Sequence, residues 1–238
     1  MTSPLIPSLP AVPPAPLPPP ETPNVVLGLV RHYNHTIWPL PIVGVMLMFG
    51  VLLAVYLRPG AIADILAKIA LDLAWLWVGV SFFWLNVASE FREGYLWGAL
   101  FLAQGTAFLI DAFFGTLEFR PARSRYLFWL TLILAVVAAA EPAVGHLVGR
   151  RWPTWEVVGT TPGPTAAFTA VLLLTTVHRP RPWFFFLPAA WAVAAGVRFA
   201  AVWGWHETLV PAAVAGVAVI AFALSFLGKR NAAQKAEE

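Results

Sequence analysis

Seven apolar runs, separated by short polar or proline-bearing breaks, constrain this chain more than any other feature of its sequence. They are Trp38–Leu57, Ile62–Val87, Tyr95–Gly115, Tyr126–Val148, Pro164–His178, Trp183–Trp203 and Thr208–Gly228. A helix needs about 20 apolar residues, rising 1.5 Å each, to cross roughly 30 Å of hydrocarbon. The runs meet or approach that length. The fifth is short, so it either borrows residues from its flanking loop or sits tilted against its neighbours. Only 11% of the 238 residues are charged, against roughly 25% in soluble domains, and the mean hydropathy is +0.74. The expected fold is an all-α polytopic membrane protein of seven transmembrane helices. With no Cys, disulfide scaffolds, iron–sulfur clusters, thiolate-copper centres and dithiol redox chemistry are excluded. The pI near 9.6 arises from a net charge of only +3. In a membrane protein that excess reflects topology rather than nucleic-acid binding.

Three segments follow. Residues 1–27 form a proline-rich tail, with ten of the 22 prolines falling in the first 24 residues. Such a segment lacks apolar bulk and reads as disordered, polyproline-II-like chain, with an SH3-type ligand as the alternative. It is no signal peptide, because no basic region precedes an apolar stretch. Residues 28–228 make the seven-helix domain, and 229–238 a polar tail.

An odd number of spans puts the termini on opposite sides. One side receives Arg58, Arg120, Arg123, Arg125, Arg179, Arg181, Lys229, Arg230 and Lys235. The other receives Arg31, Arg92, Arg150 and Arg151. The positive-inside rule then places the C-terminus in the cytoplasm and the N-terminus outside. Trp38, Trp84, Trp97, Trp152, Trp155, Trp203 and Trp205 fall at the outer boundary, and only Trp129 and Trp183 at the inner one. That asymmetry reads as a thick aromatic belt, or as an aromatic vestibule opening outward. The sequence also hints at a repeat. Gly79-Val80-Ser81-Phe82 resembles Gly196-Val197-Arg198-Phe199, and Gly98 and Gly216 follow at similar distances. Three helices, a linker helix and three more would form a 3+1+3 parallel repeat, an arrangement seen in some transporters.

Ionisable residues inside spans are candidates for function by default. Asp64, Lys68 and Asp72 recur every fourth residue on one helix face. With Asp111 they form either a self-neutralised stripe or a relay for protons or cations. Arg120 or Arg123 is the expected partner of Asp111. Glu141-Pro142 puts a carboxylate beside a helix kink, with His146 a turn beyond and Arg198 as a plausible counter-charge. The loop Gly159-Thr160-Thr161-Pro162-Gly163-Pro164-Thr165 enters the fifth run. Thr161 or Thr165 there would cap helix amides, or the amides would hold an anion or carbonyl oxygen. Trp38, Asn86, Glu141, His146, Thr161, Thr165 and Arg198 are the expected ligand-binding set. His32, His35, His146 and His206-Glu207 are the only grouping that suggests a metal. No catalytic residue and no cofactor can be assigned, since phosphate-loop, zinc-protease and nucleophile-elbow motifs are missing.

Tyr33-Asn34-His35-Thr36-Ile37-Trp38-Pro39, the Trp75–Asn86 stretch, Gly98-Ala99-Leu100-Phe101-Leu102-Ala103-Gln104-Gly105 and Gly159–Thr165 together resemble domain-of-unknown-function family 6064, multipass membrane proteins of bacteria. The resemblance covers about residues 28–228. Its most specific piece is the Thr-Pro-x-Pro-Thr turn, whose middle position in the family is often Cys. Gly163 stands there, so no thiol-based role carries over. The resemblance implies the bacterial cytoplasmic (inner) membrane and brings no activity. Three readings remain. One is a small-solute or ion transporter or channel. Another is a non-catalytic membrane subunit, such as a sensor, anchor or assembly factor, meeting a membrane protein partner or a second copy of itself. The third is a metal-dependent membrane enzyme, which needs His32, His35, His146 and Glu141 to converge.

Overall fold

The structure, a computed structural model, describes residues 24–115, 117–122, 124–147, 151–177, 182–202 and 213–220. Among these residues it is all-helical apart from one isolated antiparallel bridge, Phe119 to Thr176. The helices are α1 (Asn24–Thr36), α2 (Leu40–Leu57), α3 (Ala61–Trp77), α4 (Glu93–Phe114), α5 (Arg125–Ala139), α6 (Glu141–Leu147), α7 (Pro162–Leu173) and α8 (Pro182–Val202). Wider π-helical turns, Val78–Val87, carry α3 onward without a break. Among the described residues, three helical units are long and apolar enough to cross a membrane: α2, the continuous Ala61–Val87, and α4. The pair α5–α6, bent by 67°, makes a fourth if taken as one span. Residues 1–23 and 221–238, and with them most of both tails and the end of the seventh run, lie outside the described residues.

Helix α3 explains why these elements belong in a bilayer. Ile62, Ile65, Leu66, Ile69 and Leu73 are exposed, while Asp64, Lys68 and Asp72 are buried. A soluble helix does the reverse, because water would take the charges and exclude the aliphatics. Lipid inverts the preference: exposed leucine and isoleucine lose nothing in hydrocarbon, and charges are driven to the bundle interior. Helix α2 presents Ile42, Val43, Met46, Leu47, Leu53 and Leu57 outward in the same way.

The core forms around α7. Its sequence, Pro-Gly-Pro-Thr-Ala-Ala-Phe-Thr-Ala-Val-Leu-Leu, is apolar or small on every face, and a helix apolar all round has to be enclosed by protein or lipid. Here all twelve residues are buried, with α5, α8 and α3 packed against them. The helix has 12 residues and is therefore about 18 Å long, well short of the hydrocarbon thickness. The chain that enters it is buried too, and of the chain that leaves it Thr175 is. Before it, Glu156 to Thr161 fold inward. After it, the chain pairs with the segment following α4. There Arg120 N–H donates to Thr175 O (2.8 Å) and Val177 N–H donates to Glu118 O (2.9 Å).

The loop before α7 reaches the interior only because two glycines permit it. Gly159 has φ +83°, which side-chain-bearing residues rarely adopt. Gly44 on α2 lies against the same loop, and a Cβ there would sit 2.7 Å from the Val158 carbonyl oxygen. Gly44→Ala should therefore push the loop off α2 and lower stability by about 1–3 kcal/mol, read as a lower melting temperature in detergent. Gly50→Ala, on the same helix but with nothing within 4 Å, should leave the melting temperature unchanged or raise it.

Candidate functional site

Two polar layers cap α7, one at each end of the bundle. At the tryptophan-rich end, α1 is fastened to the loop that precedes α7. The Tyr33 hydroxyl donates to Thr160 O (2.8 Å) and accepts from Trp77 Nε1–H (2.9 Å). Burial pushes the Tyr33 phenol up to about 12, against the lowering effect of hydrogen bonds from Ser81 and Trp77. Asn34 Nδ2 donates to Pro153 O (2.6 Å) and Trp155 O (2.8 Å). Trp38 is exposed and meets Trp152 edge-on, ring centroids 5.0 Å apart. Trp152 continues the contact to His35 (6.3 Å) and Trp155 (6.0 Å), and Trp155 to His146 (6.4 Å). Trp38 and His146 therefore belong to one aromatic patch. Asn86 does not join it through its side-chain amide, which reaches back to Leu29 O at 3.4 Å.

The Thr161–Thr165 turn behaves differently from the expected helix cap. Thr161 occupies the N-cap position but makes no side-chain cap hydrogen bond. Its hydroxyl accepts from Val157 N–H (2.8 Å), and the Thr165 hydroxyl accepts from Gly159 N–H (2.8 Å) and donates to Thr161 O (2.6 Å). Both hydroxyls hold the inward loop instead of the helix amides, because Pro162 and Pro164 have no N–H to offer near the helix start. Deeper in, Trp75 Nε1–H donates to the Thr169 hydroxyl (2.9 Å) and so ties α3 to α7. Glu141, at the start of α6, is 1% exposed. The side chain of Arg198 and the pair His206-Glu207 lie outside the described residues.

At the opposite, basic end the charges of α3 do not neutralise one another along the helix. Asp64 accepts from Phe119 N–H (2.8 Å) and from Arg120 Nη1 at 2.8 and 3.0 Å. Arg120 also reaches Glu118 at 3.3 Å. Lys68 pairs with Asp111 at 2.8 Å and donates to the Asp111 carbonyl at 3.1 Å. Asp111 in turn accepts from Leu117 N–H at 3.2 Å. Of the two expected partners of Asp111, Arg120 pairs with Asp64 instead, and Arg123 lies outside the described residues. Arg120 takes Asp64 because the extended strap after α4 carries it across the start of α3, one turn below Lys68. Asp72, the third rung, is 4% exposed, and its Oδ1 has no hydrogen-bond partner.

Sequence reading missed Tyr33, Trp75 and Thr169 as organising residues, and gave Arg120 the wrong carboxylate. A signal existed for Thr169: it stands four residues after Thr165 in an otherwise apolar helix, on the same face. Among the described residues no three His, Cys, Asp or Glu side chains gather as a metal site would require. The arrangement therefore offers a buried, discontinuous helix with a hydroxyl-rich turn at one end and paired carboxylates at the other. No curated protein and no solved structure matches the chain. A family profile does match, over residues 24–232, and the chain accordingly belongs to the family of unknown function DUF6064.

Proposed function

We propose that this chain is a small-solute or ion transporter or channel of the bacterial cytoplasmic membrane. It crosses seven times, N-terminus outside, in a 3+1+3 parallel repeat. Its solute site is the outward-facing aromatic and polar layer of Trp38, Asn86, Glu141, His146, Thr161, Thr165 and Arg198. One observation carries the reading: α7 is a twelve-residue, wholly buried helix entered through buried non-helical chain, Glu156 to Thr161. Irregular backbone at membrane depth leaves amides and carbonyls that lipid cannot satisfy. It persists where protein encloses it or where it lines a solute path, and broken helices are the common device of secondary transporters.

A second reading, a non-catalytic membrane subunit, draws support from the Thr161 and Thr165 hydroxyls, which are engaged within the turn itself. A thermal-shift panel of metals, amines, organic acids and sugars on the detergent-purified full chain separates the two. A ligand that binds only the folded state at a hundredfold excess over its Kd adds roughly 2.7 kcal/mol of stability. The transport reading expects at least one hit, lost in Glu141→Gln. A blank panel, with a working control protein alongside, overturns it in favour of the subunit.

A further inference from the structure

Asp72 is the one charged rung of α3 whose carboxylate oxygen is buried without a partner among the described residues. Asp64 has Arg120, and Lys68 has Asp111. The Lys68 ammonium, one turn away on the same helix, is already committed to both the side chain and the carbonyl of Asp111. Among the described residues, the helices packed against α3 bring no other cation. Helix α7 has no titratable side chain, and neither has the described part of α8 before residue 195. On α2 the titratable group is Tyr56, whose hydroxyl is bonded to Thr131 at 2.8 Å. On α4 the titratable side chains are Asp111 and, near the far end, Glu93 and Tyr95. Asp72 is the twelfth residue of the 27-residue unit Ala61–Val87. At 1.5 Å per residue it lies about 16 Å along it, near mid-depth. Helix α4 packs closely against the backbone there: a Cβ on Gly105 would come 3.1 Å from the Asp72 main-chain carbonyl oxygen.

An ionised carboxylate at that depth, without a counter-charge, is strongly disfavoured. A sodium ion would need several oxygens converging on it, and here one unpartnered carboxylate oxygen is found. We propose that Asp72 is a proton-binding site in mid-bundle, neutral at rest, through which solute movement is coupled to proton movement. A proton adds to a carboxylate oxygen from one side of the membrane and leaves to the other, with no other bond made or broken. Asp64 and Asp111, stepping toward the half-exposed Glu118 at the basic end, mark the side from which it is reached. The coupling rests on the transport reading above; the protonation does not.

The protonation is tested on the full chain in liposomes with dicyclohexylcarbodiimide, which adds to neutral carboxylic acids and spares carboxylates. Mass spectrometry should find the adduct on Asp72 near neutral pH, and the yield should fall about tenfold per pH unit above the titration point. Infrared spectra of wild type minus Asp72→Asn should show the acid carbonyl band, and Asp72→Glu should keep a shifted one, which controls for folding. If neither the adduct nor the band is found, the proposal is overturned. Suppression of the adduct by sodium at fixed pH overturns it too, in favour of a sodium site. With the thermal-panel hit as solute, uptake into proteoliposomes should follow an imposed pH gradient and lose that dependence in Asp72→Asn. Uptake indifferent to the gradient overturns the coupling. An adduct and band without any uptake uphold the proton site and sink the transport reading alone.

Discussion

Lys68→Met should be among the most damaging single changes in the bundle, costing about 3–5 kcal/mol. The variant removes the ammonium that sits 2.8 Å from Asp111, in a pair whose side chains are only 6% and 11% exposed. It takes the ammonium away from the Asp111 carboxylate, in surroundings of low dielectric. The loss should appear as a large drop in melting temperature, or in the detergent concentration that unfolds the protein. The companion variant Lys68→Met with Asp111→Asn discriminates causes. Asn keeps an acceptor for Leu117 N–H, which Asp111 serves at 3.2 Å, while taking the buried charge away. More than half of the lost stability should return. If the double variant is no better than the single one, the charge is not what Lys68 neutralises, and its stem packing is the cause instead.

Phe168→Ala should be the most costly apolar truncation, about 3 kcal/mol. Phe168 is fully buried in the middle of α7. In a soluble core such a truncation loses 3–5 kcal/mol, part from transfer and part from the cavity left behind. In a bilayer the transfer part shrinks, because lipid tails are as apolar as the protein interior. The cavity part remains, since α7 is enclosed by α5, α8 and α3 and cannot collapse independently. Phe113→Ala is the control: that ring is 71% exposed on α4, and lipid fills its place, so the change should stay within about 0.5 kcal/mol. The difference between the two melting temperatures measures the enclosure of α7. Equal effects would mean that α7 is a peripheral helix.

Together these results would define what α7 is for. Its ends are held by different chemistry: hydroxyls and α1 at the tryptophan-rich end, ion pairs and a two-residue strand pairing at the basic end. Breaking Lys68–Asp111 loosens one end, and Gly44→Ala loosens the other. A transporter that rocks around a fixed helix would respond to each with changed solute affinity. A static subunit would respond with changed stability alone.

Much of this organisation was legible before any coordinates. The apolar runs located α2, the unit Ala61–Val87, α4 and the start of α5 to within a few residues, because backbone groups in lipid must be satisfied internally and helices do this locally. The spacing of Asp64, Lys68 and Asp72 announced an inward charged face, for the same local reason: a helix fixes which residues share a side. The Pro-Gly-Pro break announced a special turn before α7. The break between Ala139 and Glu141 was legible as well, since Pro142 follows it.

What each polar group touches was not legible. Hydropathy could not tell that Pro162–Leu173 faces protein on all sides while Leu40–Leu57 faces outward along much of its length, because both are apolar and lipid and protein interior accept the same side chains. The partner of Asp64 lies 56 residues away in sequence, on a strap whose path depends on where α4 ends and α7 returns. Tyr33 finds Thr160 at a separation of 127 residues for a similar reason. The sequence by itself determined where most of the helices lie and which polar residues share a helix face, both properties of residues within one or two turns. Only the tertiary structure decided that α7 is the enclosed element, which ions pair, and that Asp72 is left over, because ion pairing and enclosure depend on which distant helices close the same few ångströms of space.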